Sequence, residues 1–104
     1  MRASTFALAA PVLALAALPV AAETIRVQVD KLAFAPATIS AHVGDTIEWV
    51  NGDFLAHTAT ARNKEWDVMI LPKKTGRVTL KQAGRIEYYC RFHPNMTGTI
   101  AVVQ

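Results

Sequence analysis

Short runs of alternating polar and apolar residues, each ended by turn-forming residues, most restrict how this chain can fold. Thr24–Asp30 reads TIRVQVD and Thr46–Val50 reads TIEWV. Gly44-Asp45 and Asn51-Gly52-Asp53 are turn-forming sequences that lie between such runs. A period of two indicates half-buried strands, and we find no helical period beyond the N-terminal segment. Seven or eight short strands of this kind predict an all-β fold, an antiparallel β-sandwich.

The N-terminal segment, residues 1–22, has a different pattern. Arg2 supplies a positive charge, residues 6–18 are almost wholly apolar, and the small residues Val20-Ala21-Ala22 precede Glu23. This pattern predicts a secretory signal peptide that is cleaved after Ala22. An uncleaved membrane anchor is the alternative, but an apolar run of about 13 residues is short for a spanning helix, which needs roughly 20. We therefore expect a periplasmic protein whose mature domain, 23–104, has no membrane span.

Cys90 is the only cysteine in the chain. Without a partner for an intrachain disulfide, it can form an intermolecular bond, remain as a reactive or buried thiol, or bind a metal. His93 and Met96 follow it in the spacing Cys-x2-His-x2-Met, and His57 lies upstream. Because Pro94 cannot sit in a central strand, we expect Cys90 to end a strand and His93 and Met96 to lie on the turn after it.

One thiolate, two imidazoles and a weak axial thioether make up the electron-transfer site of blue copper proteins. The thiolate donates charge strongly, imidazole suits both Cu(I) and Cu(II), and the distant thioether leaves a nearly trigonal geometry. The alternatives are an inert buried Cys90, a core histidine at position 57 and ordinary packing of Met96. The sequence favours one type 1 copper ion with four ligands: His57, Cys90, His93 and Met96.

Longer motifs carry a family resemblance. They are Phe34-x-Pro36, Val43-Gly44-Asp45-Thr46-Ile47-x-Trp49-Val50-Asn51, His57 and Gly84-x-Ile86-x-Tyr88-Tyr89-Cys90-x-x-His93-Pro94-x-Met96-x-Gly98. With these motifs the chain resembles the cupredoxins, and within them the amicyanins; plastocyanins and pseudoazurins are similar but have a longer His-to-Met spacing. The resemblance implies a Greek-key β-sandwich with mononuclear copper near one end. It also places Thr58 where many members carry an Asn whose side chain ties the two ligand loops together.

The expected function is that of a soluble one-electron carrier that cycles between Cu(I) and Cu(II). We expect a monomer. We do not expect an enzyme, because 82 residues leave no room for a second metal site or a substrate pocket. His93 would pass the electron through an apolar surface that includes Phe92, Pro94 and Met96. Expected partners are redox proteins, a dehydrogenase or a c-type cytochrome, with Arg91 favouring an acidic surface.

The main alternative is a periplasmic protein that binds or delivers copper. Such proteins favour open, Met-rich sites, and this chain has three methionines, including Met1. We expect no nucleic-acid partner, because residues 23–104 carry ten Lys and Arg against eight Asp and Glu. A net charge near +2 is too weak for that role.

Overall fold

The computed structural model describes residues 21–104, which form nine β-strands. Residues 1–20 of the predicted signal peptide, 1–22, lie outside the described residues. In chain order the strands are β1 (Thr24–Asp30), β2 (Ala33–Ala35), β3 (Thr38–His42), β4 (Thr46–Asn51), β5 (His57–Ala61), β6 (Asp67–Ile70), β7 (Thr75–Thr79), β8 (Gly84–Cys90) and β9 (His93–Val103). Within residues 21–104 we find no helix with the length and apolar character needed to cross a membrane.

The strands form two sheets, with the orders β2-β1-β4-β7 and β3-β9-β8-β5-β6. This arrangement confirms the predicted all-β sandwich. There is one strand more than predicted, and the pairing is mixed, because β1 pairs with β4 and β3 with β9 in parallel. Alternation could not reveal the parallel pairs, since side chains point to opposite faces with the same period of two in both kinds of ladder.

The core between the sheets contains a cluster of aromatic side chains. Trp49 of β4 and Tyr88 of β8 are fully buried, with ring centroids 5.5 Å apart, and the Trp49 indole N–H donates to the Tyr88 hydroxyl at 3.3 Å. Trp66 packs against both rings. Burial raises the pKa of Tyr88 to about 12. Because Tyr88 lies two residues before Cys90, this cluster supports the strand that ends at the thiol.

Gly98 of β9 is required by the position of Tyr88. A Cβ atom at position 98 would lie 2.3 Å from Cζ and 2.5 Å from the hydroxyl oxygen of Tyr88. Real Cβ contacts are never this short, so a side chain at position 98 would displace the ring. The glycine therefore lets β9 pass close to the Tyr88 ring.

The ends of four strands meet at one end of the sandwich. There β4 ends at Asn51 and β8 at Cys90, while β5 begins at His57 and β9 at His93. We call this the metal end. The opposite end contains the turn before β4 and the start of β1. The strand directions thus gather the candidate metal-binding residues, although they come from distant parts of the sequence.

Candidate metal centre

Three of the four predicted residues place their donor atoms together at the metal end. The Nδ1 atoms of His57 and His93 lie 3.8 and 3.7 Å from the Cys90 sulfur, and all three donor atoms lie within 4.8 Å of one another. His57 and Cys90 are fully buried, whereas His93 is half-buried.

This spacing fits a single metal ion. Two donors about 2.0–2.3 Å from one ion and roughly 120° apart are separated by about 3.7 Å. The observed distances of 3.7 and 3.8 Å therefore suit a trigonal arrangement of two imidazole nitrogens and a thiolate. That donor set and geometry are typical of type 1 copper.

The strand positions of His93 and Met96 differ from the sequence expectation. β8 ends at Cys90 as predicted, but both residues lie within β9 and not on a turn. His93 pairs with Cys90, and the next pair is Thr97 with Tyr89. The intervening residues, 94–96, form an irregularity in the ladder, which explains how Pro94 is accommodated inside a strand.

Met96 is 2% exposed and thus belongs to the interior. Met96 therefore adds little area to the apolar surface expected around His93. It borders a surface depression beside His93 that is also lined by Leu32, Phe92 and Pro94. Met96 is thus buried and borders the same depression as His93.

Asp53 is a functional residue that the sequence analysis read only as part of a turn. Its carboxylate accepts a hydrogen bond from Nε2 of His57 at 2.8 Å. This bond lowers the pKa of Asp53 below its ordinary value and is the largest cause of the shift. With the proton on Nε2, the lone pair of His57 is on Nδ1, the atom that faces Cys90.

Asn51 holds the loop that carries Asp53 and leads to His57. Its buried amide nitrogen donates to the carbonyl oxygens of Leu55 at 2.8 Å and of Ile70 and Leu71 at 3.2 Å. Its amide oxygen accepts the Asp53 N–H at 2.8 Å. One side chain thus joins the end of β4, the following loop and the end of β6.

Thr58 contacts residues 90–93, which we call the cysteine loop, through both its backbone and its side chain. Its N–H donates to the Cys90 sulfur at 3.4 Å, and its hydroxyl oxygen accepts the Arg91 N–H at 2.8 Å. The resemblance implied that a side chain at this position ties the two ligand loops together. Thr58 makes that tie, as an acceptor from Arg91.

The Thr58 hydroxyl continues into a hydrogen-bond chain with a fixed direction. Thr60 donates its single hydroxyl proton to Asp67 at 2.7 Å, so Thr58 must donate to Thr60, at 2.9 Å. The Arg91 guanidinium also donates to Asp67, at 3.1 Å. Bonds from Thr60 and then Arg91 lower the pKa of Asp67. Arg91 is therefore ion-paired, which the sequence analysis did not foresee.

Large apolar side chains are exposed around the site. We call this surface the apolar patch and define it as Leu32, Phe54, Leu55, Leu71 and Phe92, each 50–85% exposed. The Lys73 ammonium lies 4.2 Å from the centre of the Phe54 ring and donates to the Gly52 carbonyl. The sequence analysis identified only Phe92 of this set, because the other residues lie on loops distant in sequence from Cys90.

Comparisons with known proteins agree with this geometry. The family model of the cupredoxin-like domain matches residues 3–102. Amicyanin of Paracoccus versutus is 26% identical over 93 residues, covering 84% of this chain and 70% of that protein. The methylamine utilization protein MauL of Methylorubrum extorquens is 32% identical over 82 residues, covering 75% and 72%.

Solved structures of amicyanin share the fold. A reduced Cu(I) form of an amicyanin mutant has a TM-score of 0.68 and 28% identity, covering 81% of this chain and 86% of that one. An oxidised amicyanin mutant has a TM-score of 0.67 and 26% identity, covering 76% and 81%. With the family model spanning nearly the whole sequence, this chain belongs to the cupredoxin family and is a copper electron-transfer protein, not an enzyme.

Proposed function

We propose that this protein is a soluble, monomeric, periplasmic one-electron carrier that binds one copper ion through His57, Cys90, His93 and Met96. The convergence of one thiol and two imidazole nitrogens at the spacing of a single metal ion is the observation that carries this proposal. Copper bound there would supply the Cu(I)/Cu(II) couple. Met96 is proposed as the weak axial ligand because it is buried at the same end.

The surrounding residues can keep the donor atoms fixed during electron transfer. His57 is held by Asp53, and the Cys90 sulfur accepts the Thr58 N–H. Both donors are fully buried, so they cannot swing towards water. A site with fixed donors needs little rearrangement between oxidation states, which favours fast electron transfer over copper delivery, since delivery requires donors that release the ion.

His93 is the proposed path for the electron to and from the surface. It is the only one of the three clustered donor residues that is not fully buried, and it lies beside the depression lined by Leu32 and Phe92. The surrounding apolar patch suits a small, short-lived contact with another redox protein. A dehydrogenase or a c-type cytochrome is the proposed partner, and one relative is named a methylamine utilization protein.

Export to the periplasm is proposed from the leader pattern of residues 1–22. Cleavage after Ala22 would leave β1 intact, because that strand begins at Thr24. Ala21, Ala22 and Glu23 are exposed. The proposed cleavage point is thus accessible and lies outside the folded domain, 23–104.

The test is copper titration of the purified chain 23–104. One equivalent of Cu(II) should bind and produce an intense visible band from the thiolate, and the band should vanish on reduction. The variant Cys90→Ser is the control and should lack the band, because an alcohol cannot provide the same charge transfer. A Cu(II) complex of low affinity that lacks the visible band in the unmodified protein would overturn the proposal. Rapid loss of copper to a chelator would favour the delivery function.

A further inference from the structure

Asp45 carries a buried carboxylate at the end of the sandwich opposite the metal end. The residue is 3% exposed. Its Oδ1 accepts the backbone N–H of Glu23 at 2.9 Å, and its Oδ2 accepts that of His42 at 2.8 Å. Its own backbone is bonded to His42 and Leu80. The carboxylate is therefore held in one orientation, with one oxygen directed at the nitrogen of Glu23.

This carboxylate is charged but lacks a fixed cation. The bonds from Glu23 and then His42 hold the pKa of Asp45 below its ordinary value, so it is ionised at neutral pH. In the part of the chain that the structure describes, 21–104, no Lys or Arg lies within ion-pair distance of Asp45. The His42 imidazole is 3.9 Å away and half exposed. Burying a carboxylate without an opposite charge costs free energy.

We infer that Asp45 is a binding site for the α-ammonium group of Glu23, formed when the leader is removed between Ala22 and Glu23. The inference rests on the cleavage proposed above. Hydrolysis adds water across that peptide bond: the Ala22 carbonyl becomes a carboxylate, and the Glu23 nitrogen becomes a protonated amine. The amide donor 2.9 Å from Asp45 is thereby replaced by a cation at the same place, and a charge-assisted hydrogen bond is stronger than a neutral one.

The neighbouring pairing keeps Glu23 in register for this contact. The Glu23 carbonyl accepts the Thr46 N–H at 2.9 Å, and Thr24 pairs with Thr46 in the parallel ladder of β1 and β4. Each residue of an extended chain adds about 3.3 Å. A cut one residue earlier or later would therefore place the ammonium more than a hydrogen-bond length from Asp45. Only a mature N-terminus at Glu23 can therefore bind Asp45 in this way.

The experiment compares three forms of the mature domain without metal. One begins with a free amine at Glu23, one is acetylated at Glu23, and one begins at Ala22. At pH 7 and low salt the free-amine form should have a folded-to-unfolded ratio about tenfold higher than the other two in urea unfolding. The α-amino pKa measured by NMR should also lie above its ordinary value of about 7.7–8.0.

Two variants separate this site from other causes. Asp45→Asn should remove the difference between the three forms, whereas His42→Gln, which removes the nearby imidazole, should preserve it. Equal stabilities of the free-amine and acetylated forms, or an unshifted α-amino pKa, would overturn the inference. The measurement of the α-amino pKa needs no variant, so it tests the inference even if Asp45→Asn does not fold. Mass spectrometry of the exported protein tests the cleavage point separately, since a different N-terminus would reject that proposal alone.

Discussion

The two ends of the sandwich are built differently. At the metal end, buried polar side chains such as Asn51 and Thr58 hold the loops, and large apolar side chains are exposed to solvent. Away from that end, the surface carries charged groups: the largely buried Glu48 carboxylate bridges the exposed Arg26 at 3.2 Å and the exposed Arg77 at 2.8 Å across three strands. β4 alone, six residues long, separates the ends by about 20 Å.

This contrast inverts the usual arrangement of a small domain, in which apolar groups are inside and polar groups outside. At the metal end, the apolar patch is available for another protein, and the loops beneath it cannot be held by a hydrophobic core. Hydrogen bonds from buried polar side chains hold these loops instead. We therefore expect substitutions of polar groups to affect copper chemistry at the metal end and only stability elsewhere.

The largest effect should come from Asn51→Ala. The change removes the hydrogen bonds to the buried Ile70 carbonyl and to the partly buried Asp53 N–H, and a buried polar group left without a partner costs about 1–3 kcal/mol. We expect a loss of about 3 kcal/mol in the free energy of unfolding together with weaker copper binding. Urea unfolding and copper titration are the measurements.

Asn63→Ala is the matched control for that variant. The Asn63 oxygen accepts the Glu65 N–H at 2.9 Å, but in an exposed turn. Water can replace this bond, so the cost should be well below that of Asn51→Ala, with copper binding unchanged. Equal losses for the two variants would show that the metal end does not depend on its buried amide.

The candidate ligands around Cys90 could be proposed from the sequence because their chemistry and spacing are local. Cys90, His93 and Met96 lie within seven residues, and few functions other than metal binding need that combination. The supporting residues could not be predicted in the same way. Asp53 reads as a turn residue, and Asp67 contacts Arg91 only because β6 pairs with β5 and places the carboxylate near the cysteine loop. Such contacts depend on strand pairing, which alternation does not specify.

A smaller effect is expected from Thr60→Val, which interrupts the hydrogen-bond chain between Thr58 and Asp67. The variant loses both hydrogen bonds of the Thr60 hydroxyl, and the loss of each costs about 1 kcal/mol. The reduction potential of the copper-loaded protein should also shift, because the chain polarises the hydroxyl that accepts the Arg91 N–H next to Cys90. Voltammetry of the loaded protein measures this shift.

Thr79→Val is a matched control because it removes a threonine pair at the opposite end, the 3.3 Å contact between Thr46 and Thr79. We expect a similar or smaller loss of stability and an unchanged potential. If both variants left the reduction potential unchanged, the hydrogen bonds from Thr58 to Asp67 would serve only to stabilise the structure. A shift in the Thr79 variant would mean that the potential responds to any loss of stability.

The charged groups around Glu48 should respond to acid. The Arg77 bond is the largest cause that lowers the pKa of Glu48 in the folded state. A carboxyl group whose pKa is lowered by folding stabilises the protein at pH values above its pKa in the unfolded chain, about 4.3 for Glu. That stabilisation is lost as the pH falls through the pKa of the folded state. Glu48→Gln should therefore be less stable than the unmodified protein at pH 6, with a difference that shrinks below about pH 4. The effect should be small because both arginines are largely exposed.

The smallest effect concerns charge around the apolar patch. Lys73 lies over Phe54, and no carboxylate pairs with its ammonium among the ion pairs of residues 21–104, whereas Arg91 is paired with Asp67. An adjacent pair of opposite charges nearly cancels at a distance, and rim charges act mainly on association rates. Oxidation of the reduced, copper-loaded protein by hexacyanoferrate(III), an anion, should slow as ionic strength rises.

Two variants divide this salt dependence between the charges. Lys73→Gln should lower the low-salt rate constant in stopped-flow by about twofold and flatten its dependence on ionic strength. The double variant Arg91→Gln, Asp67→Asn removes one charge of each sign, so the slope should stay that of the unmodified protein even if the driving force changes. The slope, not the absolute rate, is therefore the quantity to compare. A double variant that flattens the slope as much as Lys73→Gln would mean that Arg91 attracts anions in spite of its partner, and that steering is spread over the cysteine loop.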